Sequence, residues 1–149
     1  MKAFRFRLDR LLKLRERSEQ ERARALGDAL RAEEERRLAV EAAKTRLERI
    51  GNQLEGTSSG IHTAGTLRLW RMTAAAAAEH VEHVESSHRD ASGAVEKEQE
   101  RFREARKDRR VVERLRERRA AAWLTDASRE EQKDIDDVSL RRRHGGEDQ

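Results

Sequence analysis

The chain of 149 residues has no cysteine, no proline and no tyrosine, and its only aromatic rings are three phenylalanines and two tryptophans. Without cysteine there is neither a disulfide framework nor thiol chemistry. Without proline, nothing forces a helix to kink or stop. So few rings leave almost no platforms on which nucleic-acid bases could stack. No stretch approaches the ~20 consecutive apolar residues that span a bilayer. Arg5, Arg7 and Arg10 interrupt the N-terminal apolar run that a secretion signal would need. A cytoplasmic protein is the expectation.

Apolar residues make up 35% of the chain and charged residues 43%. That is too little apolar content for a compact globular core. Charges of alternating sign among many Ala, Glu, Arg and Leu are the composition of a coiled coil or long helix. Disorder competes for such a charged chain. It loses here because the apolar residues are periodic and proline is absent.

The clearest repeat runs through Leu67, Trp70, Ala74, Ala77, Val81, Val84, His88, Ala91, Val95, Glu98, Phe102, Ala105, Arg109, Val112, Arg116, Arg119 and Trp123. Every step is three, then four. That spacing keeps one seam of a helix facing a partner helix. At ~1.5 Å per residue, the segment predicts a helix roughly 85 Å long. A helix from about residue 4 to 55 carries the second seam. It reads Leu8, Leu12, Arg15, Glu19, Arg22, Leu26, Ala29, Glu33, Arg36, Val40, Ala43, Leu47, Ile50 and Leu54.

Residues 56–65 hold three glycines and four hydroxyl residues, the mark of a loop. Thr66 is the expected N-cap of the second helix, which should run to about residue 140 before a frayed tail over 141–149. Two long helices joined by one short loop pack antiparallel. The expected fold class is therefore all-α: a single domain over residues 1–149, forming a long antiparallel two-helix coiled coil, or helical hairpin. Folding about residue 60 would set Leu54 near Leu67, Val40 near Val81 and Leu12 near residues 108–109.

Charge is uneven. Residues 1–24 carry nine Lys or Arg against four acids, and residues 101–119 carry ten against four. The hairpin brings these segments together as a basic zone. Residues 79–100 and 120–140 are acidic, with seven acids against two bases and six against two. Such fields steer docking.

Catalytic motifs are missing. The loop lacks the lysine and preceding strand of a phosphate-binding loop, and a two-helix hairpin offers no pocket for a Ser–His–Asp arrangement. Neither an enzyme nor a cofactor is expected. His80 and His83, beside Glu79 and Glu82, have a spacing that can hold a metal, but two solvated histidines in an acidic stretch are the plainer reading. His88 falls on the seam as a polar residue that fixes register. The basic zone could meet phosphates. However, Glu104, Asp108, Glu113 and Glu117 interrupt it as helix-face ion partners, so docking on an acidic protein surface is favoured over nucleic acid. Leu38, Ala42 and Thr45 on the first helix, and Met72 and Ala76 on the second followed by Glu79 and His83, form an outward stripe suited to a partner. Trp123 lies where the first helix runs out, and an aromatic there can anchor a partner.

The two ends carry a resemblance. The opening Phe4-Arg-Phe-Arg-Leu-Asp-Arg-Leu-Leu-Lys-Leu-Arg15 resembles the start of the flagellar export protein family FliJ. Ser59-Gly-Ile-His-Thr-Ala-Gly-Thr-Leu-Arg-Leu-Trp70 sits where that family turns between its helices. The segment from Leu115 to Asp137, with Arg129 and the run Glu131-Gln132-Lys133 before Asp136 and Asp137, is similar to its closing motif. The resemblance covers essentially the whole chain.

It implies an antiparallel coiled coil, similar in shape to the central stalk of the rotary ATP synthase. It implies a place in the ATPase complex of the flagellar type III export apparatus, at the inner membrane. The termini would sit in the pore of the hexameric export ATPase FliI, promoting ring assembly and hydrolysis. The middle would engage the export gate FlhA, and export chaperones would be further partners. By position, the ATPase end takes Phe4, Arg5, Phe6, Leu8, Trp123, Arg129, Glu131, Gln132, Lys133 and Asp136. Gate contact falls on Leu38, Ala42, Met72, Ala76 and His83, where this chain departs from relatives with larger apolar groups. The readings from other classes are a structural coiled coil that pairs with itself, and a basic coiled coil associated with nucleic acid.

Overall fold

In a computed structural model of the chain, the described residues are 3–57, 60 and 63–144, with side chains described up to 136 apart from that of Thr57. They form two helices, α1 (Asp9–Thr57) and α2 (Ala64–His144), and no strand. The helices run antiparallel and pack on each other as a helical hairpin. They divide into two compact units, one of residues 1–19 with 104–149 and the other of residues 20–103.

The first helix begins at Asp9 rather than at residue 4. The Asp9 amide donates to the Phe6 carbonyl across 3.2 Å, and the Leu12 amide donates to that of Leu8 across 2.9 Å. Arg5 and Arg7 thus stay outside the helix, while acidic Asp9 takes its first turn. A helix N-terminus carries partial positive charge, so it favours this arrangement. Gly56 and Thr57, expected in the loop, continue α1.

The second helix starts earlier than expected, at Ala64. Its cap is Thr63, not Thr66. Thr63 Oγ1 accepts from the Thr66 amide at 3.3 Å and lies 2.8 Å from the Thr66 hydroxyl. A side-chain oxygen three residues before the amide is the geometry that satisfies an orphan donor. At the other end, α2 runs through residue 144, into the segment expected to fray; residues 145–149 lie outside the described ones, as do 58, 59, 61 and 62 of the loop.

The seam of α2 follows the repeat closely. Every expected position from Trp70 to Val112 is buried or half-buried, whereas Leu67 at the loop end is exposed. Past Val112 the register changes. Arg116 and Arg119, expected on the seam, are exposed, and Leu115 and Ala120 are half-buried instead. A helix with 3.6 residues per turn drifts from a strict 3.5 repeat unless apolar side chains hold the supercoil. Arginine at two successive seam places provides no such hold. Along the first seam, Arg22 and Arg36 are exposed, while Leu8 before α1 and the other eleven expected positions on it are covered.

The unit formed by residues 1–19 and 104–149 has a better core than its charged sequence suggests. Leu12 and Val112 are 4% and 9% exposed. Each buried aliphatic side chain contributes about 2 kcal/mol. Arg15 reaches Asp108 at 2.8 Å, and Arg109 pairs with Glu19 across the helices and with Glu113 on its own. Leu12 therefore sits about one turn from its expected place beside residues 108–109.

In the unit of residues 20–103, Ala43 and Ile50 are 5% and 8% exposed. Of the alanines 74–78, Ala74 and Ala77 are half-buried on the seam, while Ala75, Ala76 and Ala78 are exposed. Farther along, polar groups join the helices. His88 Nε2 lies 2.8 Å from Glu33 Oε1, Arg36 donates to Ser87 Oγ at 2.9 Å, and Lys44 meets Glu85 at 2.7 Å.

Candidate functional site

Two groups of residues merit attention, one in each unit. In the unit that holds the N-terminus, the non-helical segment before Asp9 lays Phe4 against Trp123, with ring centroids 6.1 Å apart and planes tilted by 50°. Both rings are half-buried. Tilted ring pairs of this separation bring the positive edge of one ring toward the face of the other. Phe6 and Leu8 are half-buried in the same segment, and Arg5 is exposed. The structure thus brings Phe4 and Trp123 together.

The other residues expected at this end lie farther along α2. Arg129, Glu131, Gln132, Lys133 and Asp136 are all exposed on the helix. Arg129 meets Asp126 at 3.9 Å, and Gln132 donates to Asp136 at 3.2 Å. These contacts stay within the helix and leave its polar faces open to a partner. The carboxyl of Asp9, at the start of α1, is held below its usual range by its hydrogen bond to Lys13, with the positive charges of Lys13 and Arg116 assisting against desolvation.

In the other unit, the expected outward stripe is exposed throughout: Leu38, Ala42, Met72, Ala76 and His83. It is not one patch. The bridges from Glu33 to His88, Arg36 to Ser87 and Lys44 to Glu85 set Leu38 and Ala42 level with the stretch around His83 to Ser87. Met72 lies nearer the loop. Ala76 borders an open groove lined by Ala43, Arg46, Ile50, Thr73, Ala77 and His80. Sequence reading missed this groove because its floor is made of the seam residues Ala43 and Ile50. Both are buried, but Ala76 and Ala77 beside them are too small to fill the space above. The run of five alanines was the available signal.

Charge on this unit is locally paired. Glu85 is held below the usual carboxylate range, first by its hydrogen bond and then by the charge of Lys44. The carboxyl of Glu34 is held below its usual range by its hydrogen bond to Arg37, whose own pKa is raised by the same pair. His80 and His83 are exposed, and among the described residues no cluster of three or more metal-donor side chains forms. No described helix is long and apolar enough to cross a membrane.

Comparison with protein families matches residues 4–147 to the model described as flagellar FliJ protein. Comparisons with curated proteins and with solved structures gave no match.

Proposed function

The chain belongs to the FliJ family and is a component of the flagellar export apparatus, and we propose that it serves there as a non-enzymatic stalk of the hexameric export ATPase FliI. The observation that carries this reading is the end of the unit holding the N-terminus. An aromatic pair, Phe4 with Trp123, closes the two-helix part. Beyond it α2 continues through the exposed residues Arg129, Glu131, Gln132, Lys133 and Asp136. An apolar end with a charged extension suits insertion into a ring pore. Aromatics anchor such contacts, and peripheral charges set orientation. A hairpin of two helices cannot match six-fold symmetry, so it meets the subunits unequally. That inequality promotes ring assembly and biases which interfaces close on ATP.

The same reading assigns the outward stripe to the export gate FlhA. Ala76, on the open groove, and Met72, nearer the loop, are its favoured part, with Leu38, Ala42 and His83 at a second level. Export chaperones are further partners. The protein would act in the cytoplasm, at the inner-membrane export apparatus.

Hydrolysis by the cognate ATPase, measured with and without stoichiometric protein, tests the proposal. Stimulation is expected with the full chain and not with residues 125–149 deleted. If the full chain leaves hydrolysis unchanged, the stalk reading fails.

A further inference from the structure

Leu14 and Val111 are 61% and 62% exposed, among the most exposed large aliphatic side chains of the protein. They lie in the same unit and on adjoining rows. Residues three and four apart on a helix are surface neighbours. Leu11, Leu14 and Arg15 thus share one face of α1, while Asp108, Val111 and Leu115 share one face of α2. The 2.8 Å bridge from Arg15 to Asp108 joins these two faces edge to edge. The result is an apolar strip of Leu11, Leu14, Val111 and Leu115, half-buried on its inner members and open on the others.

The borders of the strip are basic. On α1, Arg10 and Arg17 flank Leu14 at four and three residues' distance. On α2, Lys107 and Arg114 flank Val111 in the same way, with Arg118 one turn beyond. All five are exposed. The surrounding stretches, 3–19 and 104–119, hold fourteen Lys or Arg against seven acids, for a net charge of +7.

We propose that this strip is a docking site for an amphipathic helix with acidic flanks, supplied by a partner protein. A third helix would lay its apolar row between Leu14 and Val111, in the manner of a helix filling a groove. Its flanking positions would then meet Arg10 and Arg17 on one side and Lys107, Arg114 and Arg118 on the other. Acidic residues there gain from every one of these charges. A second copy of this chain is a poor occupant, because face-to-face pairing sets the same basic borders against each other.

The probe is a fluorescein-labelled designed peptide helix, with leucine at the first and fourth heptad positions and glutamate beside them. Its binding to the full chain is read by fluorescence anisotropy. Saturable binding is expected, weakening with added salt. The double variant Leu14→Ser with Val111→Ser keeps the net charge and touches no buried residue. It should retain the helical circular dichroism and bind the peptide at least tenfold more weakly. Replacing the peptide's leucines by serine should cost a similar factor. Undiminished binding by the double variant overturns the proposal, as does equal binding of the leucine-free peptide, which would mark a mere polyanion effect. Sedimentation provides the remaining outcome: a dimer of the chain that the double variant abolishes would make a second copy the occupant, against the proposal.

Discussion

The two units of the hairpin hold their helices together by different means. The unit of residues 1–19 and 104–149 relies on apolar closure at two places, Leu12 with Val112 and Phe4 with Trp123. The unit of residues 20–103 concentrates its apolar core at the loop end, in Ala43 and Ile50, and joins the rest through Glu33–His88, Arg36–Ser87 and Lys44–Glu85. Burial of apolar area supplies most stability and little directional information. Polar seam contacts supply less stability and more register. The unit at the chain's ends is therefore built to stay closed, and the other to stay aligned.

The largest expected effect comes from opening the apolar unit. Leu12→Ala removes a nearly fully buried side chain and should cost about 2–3 kcal/mol in denaturant unfolding. A loss as small as that of a surface substitution would show that the apolar closure contributes little. Trp123→Ala should cost about 2 kcal/mol, because burial and the ring contact with Phe4 are lost together. Phe4→Ala should add little on top of it, since the pair acts as one contact.

His88→Leu reverses the logic in the aligned unit. Combined with Glu33→Leu, so that no carboxylate is left without its partner, it should raise stability by about 1 kcal/mol while loosening register. The chain contains no cysteine, so introduced pairs report cleanly. Arg36→Cys with Ser87→Cys should cross-link efficiently in the parent and less efficiently with His88→Leu and Glu33→Leu. Unaltered cross-linking would remove the role in register.

The smallest effect is that of acid. Glu85 has a folded pKa below its ordinary 4.5 because it accepts a hydrogen bond from Lys44. A depressed carboxylate contributes its full stabilisation above the unfolded pKa and loses it as pH falls through the lower folded value. Amide protection factors around Lys44 and Glu85, taken relative to the intrinsic exchange rate at each pH, should therefore fall modestly below pH 4.5, and Glu85→Gln should remove that dependence. The pair is exposed enough that screening keeps the effect slight.

Much of this division was legible in the residues. The heptad spacing fixed the fold class and the covered positions of α2 from Trp70 to Val112, because spacing survives even where apolar content falls. The start of α1 was not legible: Phe4 and Phe6 fit a helical pattern as well as they fit the turn that sends Phe4 onto Trp123. The seam past Val112 misled, since Arg116 and Arg119 keep the spacing while lacking the burial that would enforce it. Leu12 and Val112 are among the most buried residues although Arg15, Arg109 and Arg116 occupy the expected seam positions around them. The outer strip of Leu14 and Val111 is visible in sequence only as two short apolar rows, and their adjacency depends on the observed pairing of Arg15 with Asp108.

The division of labour between the units is tested most directly by their effect on the cognate export ATPase. Stimulation of hydrolysis would be measured for the parent chain, for Phe4→Ala with Trp123→Ala, and for His88→Ala, each at a temperature where circular dichroism shows it folded. Stimulation should fall at least tenfold for the first variant and remain at the parental level for the second. Equal losses in both, or full stimulation by the chain lacking its aromatic pair, would contradict the assignment of that end to the ATPase.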